Sequence, residues 1–302
     1  MINDRALRYF LAVARAGSIR GAAGALNVAA SAVSRQVAEL EAGCGAALLE
    51  RLPRGVALTE AGRIVAEHAQ RQADDGALLA ERLRRLRGVQ AGQVRLCCGG
   101  GFLTDLVDNA LAGFARAHPG VTYRVTLGGT DRILAAVAEG EADIGLAYNP
   151  PAHPDLRSLA SAAQPLAALL RPEDPLARGR APPGLAAFAE TPCAVLPPDH
   201  GVRRLLGRVE ADGGFRLRVR LETPSIELQR RFVLAGMGVT FLPGFAAATE
   251  VKAGQLVAVH LADALLAQAT THLLVRAGRR LPEAVAGIAE RLAAELEAFR
   301  PA

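Results

Sequence analysis

Residues 4–16 place Leu7, Phe10, Leu11 and Ala14 at helical spacing, which predicts an amphipathic helix stopped by Gly17. A second helix is expected from Ser18, a good N-cap, to about Leu26, burying Ala22, Ala23 and Leu26. Asn27 and Val28 make a tight turn. A third helix repeats Val33, Val37 and Leu40 at i, i+4, i+7, the stripe of a half-buried helix. Its outer face carries Ser31, Ser34, Arg35 and Ala38. Residues 52–58 read as a short two-stranded wing with Pro53 and Gly55 at its turn. Thr59 then caps a proline-free stretch to about Arg87 in which helix formers dominate. Such a helix spans roughly 40 Å. Its apolar positions Ile64, Leu78, Leu79, Leu83 and Leu86 leave a stripe that needs a partner. Gly76, less favourable than alanine by about 1 kcal/mol, marks a candidate bend, and residues 88–92 read as a hinge.

From Gln93 the pattern changes. QVRLCC, VTYRVTL and ADIGLAY read as strands, with helices expected at 103–117 and 130–139 between them. Alternation of this kind predicts a parallel sheet covered by helices on both faces. A second unit of the same kind begins at 165–170 and includes CAVLPP, RLRVRLE and LAGMGVTFLPGF. THLLVRAG is a late strand that returns the chain to the first unit, and residues 283–299 form a closing amphipathic helix.

Two short helices with a small-residue contact and a polar outer face suit a helix-turn-helix, whose second helix enters the DNA major groove. Arg35 reaches guanine edges or phosphate, and Ser34 donates to either; a solvated face on a small bundle is the alternative. The net charge of +5 is uneven: residues 1–90 carry 13 Arg against 9 Asp plus Glu, and the remainder is nearly balanced. The surplus lies where phosphate attraction would use it. A hydrophobic content of 51% over 302 residues supports packed cores in two or three units rather than disorder. No signal-peptide pattern opens the chain and no apolar run approaches the roughly 20 residues that cross a bilayer, so a cytoplasmic protein without membrane contact is expected. Cys44, Cys97, Cys98 and Cys193 form no metal-ligand spacing; Cys97 and Cys98 would point to opposite faces of a strand, buried and reduced, with a redox switch as the alternative.

The ordered run LRYFLAVARAGSIRGAAGALNVAASAVSRQVAELE from Leu7, then Leu48, Leu49, Glu50, Arg51 and RGVALTEAGR from Arg54, resembles the LysR-type transcriptional regulators. The resemblance extends over nearly the whole chain. Two departures stand out. Ala29, Ala30 and Ser31 replace the Ser-Gln-Pro that often opens the recognition helix, and Leu49 replaces a phenylalanine. Base readout would then lean on Ser34, Arg35 and DNA shape. The resemblance implies an α+β multidomain protein. It would have a winged helix-turn-helix (1–58), a linker and dimerisation helix (59–88) and a two-lobed, periplasmic-binding-protein-like α/β effector domain (89–302). Lobe I would span about 93–161 and 269–302 and lobe II about 165–268, with crossovers near 161–165 and 268–272. The implied partners are double-stranded DNA, a small-molecule effector and further copies of the chain in a homodimer or homotetramer, with RNA polymerase as a further candidate. The DNA-facing candidates are Ser18, Arg20, Ser31, Ala32, Ser34, Arg35, Arg51 and Arg54. Some members of the family sense oxidants through two cysteines in the effector domain; the region after residue 190 offers only Cys193.

In open α/β sheets ligands lie beyond the carboxyl ends of the strands. That rule selects Gly100, Gly101, Phe102 and Thr104 after the first strand, Gly129 and Thr130 after the second, and Asn149 after the third. In the other lobe it selects Pro198, His200 and Gly201, then Thr223 and Ser225. Several of these loops open helices, whose free N–H groups favour anions, so a small organic carboxylate is the expected ligand. Each residue also has an ordinary reading: Thr130 and Ser225 are good caps, and His200 suits a surface position. The glycines at 99–101 begin a dinucleotide fingerprint, but Thr104 occupies its sixth position and no acidic residue follows at the required place. Neither a catalytic motif nor a cofactor or metal site is evident. An enzyme built on such lobes lacks a reactive constellation, and a solute-binding protein does not account for the first 90 residues.

Overall fold

The computed structural model describes residues 3–53, 55–86, 92–179 and 181–300. The chain divides into two compact units, 1–87 and 88–302.

In the first unit α1 (Asp4–Ala16) starts at Asn3, whose side chain accepts from Ala6 N, and stops at Gly17. Its core face is Leu7, Phe10, Leu11 and Val13, with Ala14 only half-buried. The expected stripe was therefore one residue off at its end. α2 (Ile19–Leu26) is capped by Ser18, and Asn27 takes a left-handed conformation (φ 54°) that turns the chain. Ala22 and Ala23 are buried, while Leu26 is half-buried at the edge of the same cluster. α3 (Ala30–Cys44) buries Val33, Val37 and Leu40 as its periodicity predicts. The wing is longer than expected. β1 (Leu49–Leu52) and β2 (Gly55–Leu58) pair antiparallel, Leu49 opposite Leu58. The backbone amide of Val56 on β2 donates to the carbonyl of Gly17, which ties the wing to the corner between α1 and α2. α4 (Glu60–Leu86) is capped by Thr59 and runs through Gly76 without interruption. Its first half packs through Val65, Ala66 and Ala69. Ile64, Leu79 and Leu83 are exposed, Leu78 is half-buried, and the Leu86 side chain lies outside the described residues.

The second unit contains two five-stranded sheets. β3 (Gly92–Cys98) is followed by α5 (Leu103–Asp105), a widened π-turn at Leu106–Leu111 and α6 (Ala112–Ala117), then β4 (Val121–Leu127), α7 (Thr130–Ala138), β5 (Ile144–Tyr148) and β6 (Leu156–Ala163). The chain then enters the second sheet with β7 (Leu166–Leu170), β8 (Cys193–Val195), α8 (Gly201–Gly213), β9 (Val219–Glu222), α9 (Ile226–Leu234), β10 (Val239–Pro243), α10 (Ala248–Lys252), β11 (Val257–His260) and α11 (Ala264–Ala267). It returns with β12 (Thr270–Arg276) and closes with α12 (Glu283–Glu295). The first sheet is ordered β4-β3-β5-β12-β6 and the second β11-β7-β10-β8-β9.

Both sheets are mixed, which corrects the expectation of parallel ones. β3, β4 and β5 are parallel, but β12 arrives from the other lobe and runs antiparallel to both β5 and β6. In the second sheet β8, β9 and β10 are parallel, while β7 pairs antiparallel with β10 and β11. The crossings fall at Gln164–Pro165 and Gln268–Ala269, within the expected stretches. Gly92 opens β3; residues 88–91 of the expected hinge, and Arg54, lie outside the described residues.

Cys97 and Cys98 do face opposite sides of β3. Cys97 packs with Ile133 and Val137 of α7, and Cys98 with Phe102 and Leu106. Lobe I is also locked by Asp105, whose carboxylate accepts from the amides of Glu297 and Ala298, and by Asp143, which binds Arg95 and Arg279.

Candidate functional site

In the first unit the third helix presents Ser31, Ser34 and Arg35 on its exposed face, with Ala32 half-buried beside them. This follows from the buried Val33-Val37-Leu40 stripe, which turns the intervening residues outward. Ala29, the N-cap of α3, makes no side-chain cap bond. Arg35 sits 3.8 Å from Glu39, with both side chains largely in solvent, so the pair holds the guanidinium weakly. Arg51 is exposed on β1 and Arg20 on α2. Ser18 is already engaged: its hydroxyl accepts from Gly21 N at 3.0 Å. Glu41, which periodicity did not single out, accepts from the amides of Leu48 and Leu49 and so fixes where the wing begins.

The second unit holds a small, partly open cleft of about 50 Å³ between its lobes. Lobe I contributes the 99–102 loop, Gly128, Thr130, Ile133 and Tyr148. Lobe II contributes Leu196, the start of α8, Ile226 and the strand-end segment 242–246. Of the expected residues, Gly100, Gly101, Phe102, Thr130, His200 and Gly201 line it. The others do not. Thr104 and Pro198 are exposed, and Ser225 is exposed while capping α9 through Leu228 N. Thr223 accepts from Ser225 N, and Asn149 (φ 45°) donates its amide to Thr270 O, each serving its own turn. Gly129 is buried behind Thr130.

The lobes meet through the first turns of two helices. The amide of Gly201, first residue of α8, donates to Thr130 Oγ1, first residue of α7, at 2.8 Å. A Cβ at position 201 would lie 2.1 Å from the carbonyl oxygen of Tyr148, so only glycine permits this approach. Nearby, Arg204 of α8 pairs with Asp131 of α7 at 2.7 Å. Two positive helix ends facing each other repel; the Asp199 carboxylate lies against Gly129, where an added Cβ would come within 2.2 Å of Oδ2, and offsets them. His200 Nδ1 is 2.9 Å from Asp199 Oδ1. Across the cleft Phe102 meets Phe245, ring centroids 5.0 Å apart. Sequence reading did not select Phe245, Ala246 or Ile226, because each comes from a segment more than a hundred residues from the loop it faces.

Among the described residues no group of three His, Cys, Asp or Glu side chains is placed to hold a metal, and no helix is long and apolar enough to cross a membrane. The thiols of Cys98 and Cys193 are buried, which pushes them up to about 12 and about 11.

Comparison with known proteins places the chain in a family. Residues 5–63 match the bacterial regulatory helix-turn-helix proteins of the lysR family, and residues 87–297 match the LysR substrate binding domain. The chain is 34% identical to the SDS degradation transcriptional activation protein of Pseudomonas sp., over 94% of this chain and 93% of that one. It is 32% identical to a probable hydrogen peroxide-inducible genes activator of Mycobacterium avium, over 83% and 80%. Full-length OxyR of Pseudomonas aeruginosa, in a variant form, shares the fold with a TM-score of 0.72 at 20% identity, covering 100% of this chain and 97% of that one. The chain belongs to the LysR family: it is a DNA-binding transcriptional regulator with an effector-binding domain, not an enzyme.

Proposed function

We propose that this regulator reads its operator through the exposed face of α3, with Ser31, Ala32, Ser34 and Arg35 in the major groove. Arg20, Arg51 and Arg54 contact flanking phosphates. The observation that carries this reading is the exposed Ser31-Ser34-Arg35 face on a helix whose other side is fully buried. The protein acts in the cytoplasm as a homodimer or homotetramer, the exposed Leu79 and Leu83 of α4 packing against a second copy. Two recognition helices then address two half-sites. A small effector in the interlobe cleft favours one arrangement of the lobes and so biases DNA binding. That coupling requires different affinities for the two arrangements.

Fluorescence anisotropy on the duplex upstream of the gene, beside a shuffled duplex, tests the reading. Affinity for the native duplex should exceed that for the shuffled one, fall steeply with salt, and drop about tenfold or more in Arg35→Ala. Equal, weak binding to both duplexes in every condition would remove α3 as the reading helix.

A further inference from the structure

The walls of the interlobe cleft carry no charged side chain. Its lining is glycine, aliphatic and aromatic apart from Thr130, Tyr148 and His200. The arginines nearby do not line it, and each is paired through part of its guanidinium: Arg204 with Asp131, Arg230 with Glu227 and Glu250, and Arg132 with Glu141. The Asp199 carboxylate lies beside Gly129 at the start of α7 and bonds His200, and its charge opposes a further anion at these helix ends. A second carboxylate brought into an apolar cleft next to Asp199 would lose its hydration and meet a like charge.

The three polar side chains narrow the ligand further. The Tyr148 hydroxyl donates to Gln164 O at 2.7 Å and is occupied. Thr130 Oγ1 accepts from Gly201 N, which leaves its own O–H as a donor. Asp199 is a carboxylate and only accepts, so the hydrogen of a neutral His200 ring sits on Nδ1. Nε2 is then an acceptor. Among the side chains, Thr130 thus offers a donor and His200 an acceptor, which suits a group that is itself both. A hydroxyl is such a group; a carboxylate, which has only lone pairs, is not. The geometry points to an uncharged, mainly apolar alcohol or phenol as the effector of this cleft, in place of the carboxylate expected from the sequence. This assignment rests on the reading of the cleft as the effector site.

The test is calorimetric titration of the purified full-length protein, at mildly alkaline pH, with benzyl alcohol, benzoate and toluene. These share a ring and differ in the group presented. Benzyl alcohol should bind about tenfold tighter than benzoate, the effect of one well-made hydrogen bond against an unpaired charge. In His200→Phe, with its melting profile checked, the affinity for benzyl alcohol should fall about fivefold or more while that for toluene stays within about twofold. The ranking on unmodified protein stands whether or not that variant folds. Benzoate binding as tightly as the alcohol, no binding of any probe at millimolar concentration, or an alcohol affinity untouched in folded His200→Phe would each overturn the assignment. Operator affinity with and without bound alcohol separates the two readings. Alcohol binding in the expected order with no change in operator affinity would keep the ligand class and remove the effector role. Benzoate binding that changes operator affinity would do the reverse.

Discussion

The amide of Gly201 and the hydroxyl of Thr130 meet at 2.8 Å, and through them the first turn of a helix in one lobe is fastened to the first turn of a helix in the other. Beside this bond the Gly201 α-carbon lies so close to the Tyr148 carbonyl that an added methyl would sit 2.1 Å from its oxygen. Gly201→Ala should therefore force the lobes apart or strain them, with destabilisation of about 1–3 kcal/mol and weakened ligand binding. Chemical unfolding of the full chain, followed at the transition of the second unit, measures it. An unchanged midpoint would show that the lobes do not need this approach.

Asp199 places a carboxylate beside Gly129, at the start of α7. Asp199→Asn should raise the affinity of the cleft for benzoate severalfold and lower the preference for an uncharged alcohol, since the site then lacks its own carboxylate. Competition between the two probes in the variant reads the change. An unaltered ratio would mean that Asp199 does not set the charge preference.

Arg35 and Arg51 should behave differently on DNA. A base-reading Arg35 loses affinity and sequence preference together when replaced by alanine, by about 1–3 kcal/mol. A phosphate-contacting Arg51 loses affinity equally on all sequences and lowers the slope of log affinity against log salt by about 1. Identical behaviour of the two variants would contradict the division of roles.

Acid should unfold lobe I at a point set in part by Asp143. Burial alone would raise its carboxyl, but the hydrogen bonds and charge of Arg95, together with the charge of Arg279, hold it below the ordinary carboxylate value. Its folded value is depressed, so its stabilisation is fully present above the unfolded value of about 3.9 and is lost as pH falls through the folded one. Asp143→Asn should lower stability near neutrality by about 2 kcal/mol, because it removes a carboxylate that both Arg95 and Arg279 bind, and should flatten the acid limb of the stability profile. Far-UV circular dichroism across an acid titration shows both effects or neither.

Thiol chemistry should single out Cys44. Cys97, Cys98 and Cys193 are fully buried, and Cys44 is half-buried. Burial raises Cys98 and Cys193, which keeps them as unreactive thiols. A chromogenic disulfide reagent should therefore titrate about one thiol per native chain and four after denaturation. Peroxide at concentrations that spare methionine should leave operator affinity unchanged, although one relative bears a peroxide-inducible name. Rapid native labelling of Cys193 would reopen the redox alternative.

The parts of this molecule that were legible in the sequence are those set by local periodicity. Val33, Val37 and Leu40 define the recognition helix because a 3.6-residue repeat needs only a dozen neighbouring residues to show itself. The strands flanking glycine loops were equally visible. β6 and β11 were not, for reasons found in their residues. β6 exposes Ser158 and Ser161 at an edge without clean alternation, and β11 is four residues, three of them half-buried. The antiparallel entry of β12 depends on the chain leaving one lobe and returning, which no local pattern encodes. The cleft was legible on one side only. Its loops announce themselves through Gly100, Gly101 and Gly201, but the walls that face them come from Ile226 and Phe245.

The bond that joins the lobes uses a main-chain amide on one side, and main chain does not change when side chains are exchanged. Exchanges at Phe102, Ile226 or Phe245 can thus alter the shape of the cleft without touching the bond that joins its lobes. What the cleft admits and what holds its two lobes together are therefore set by separate residues, so that one can vary while the other is kept.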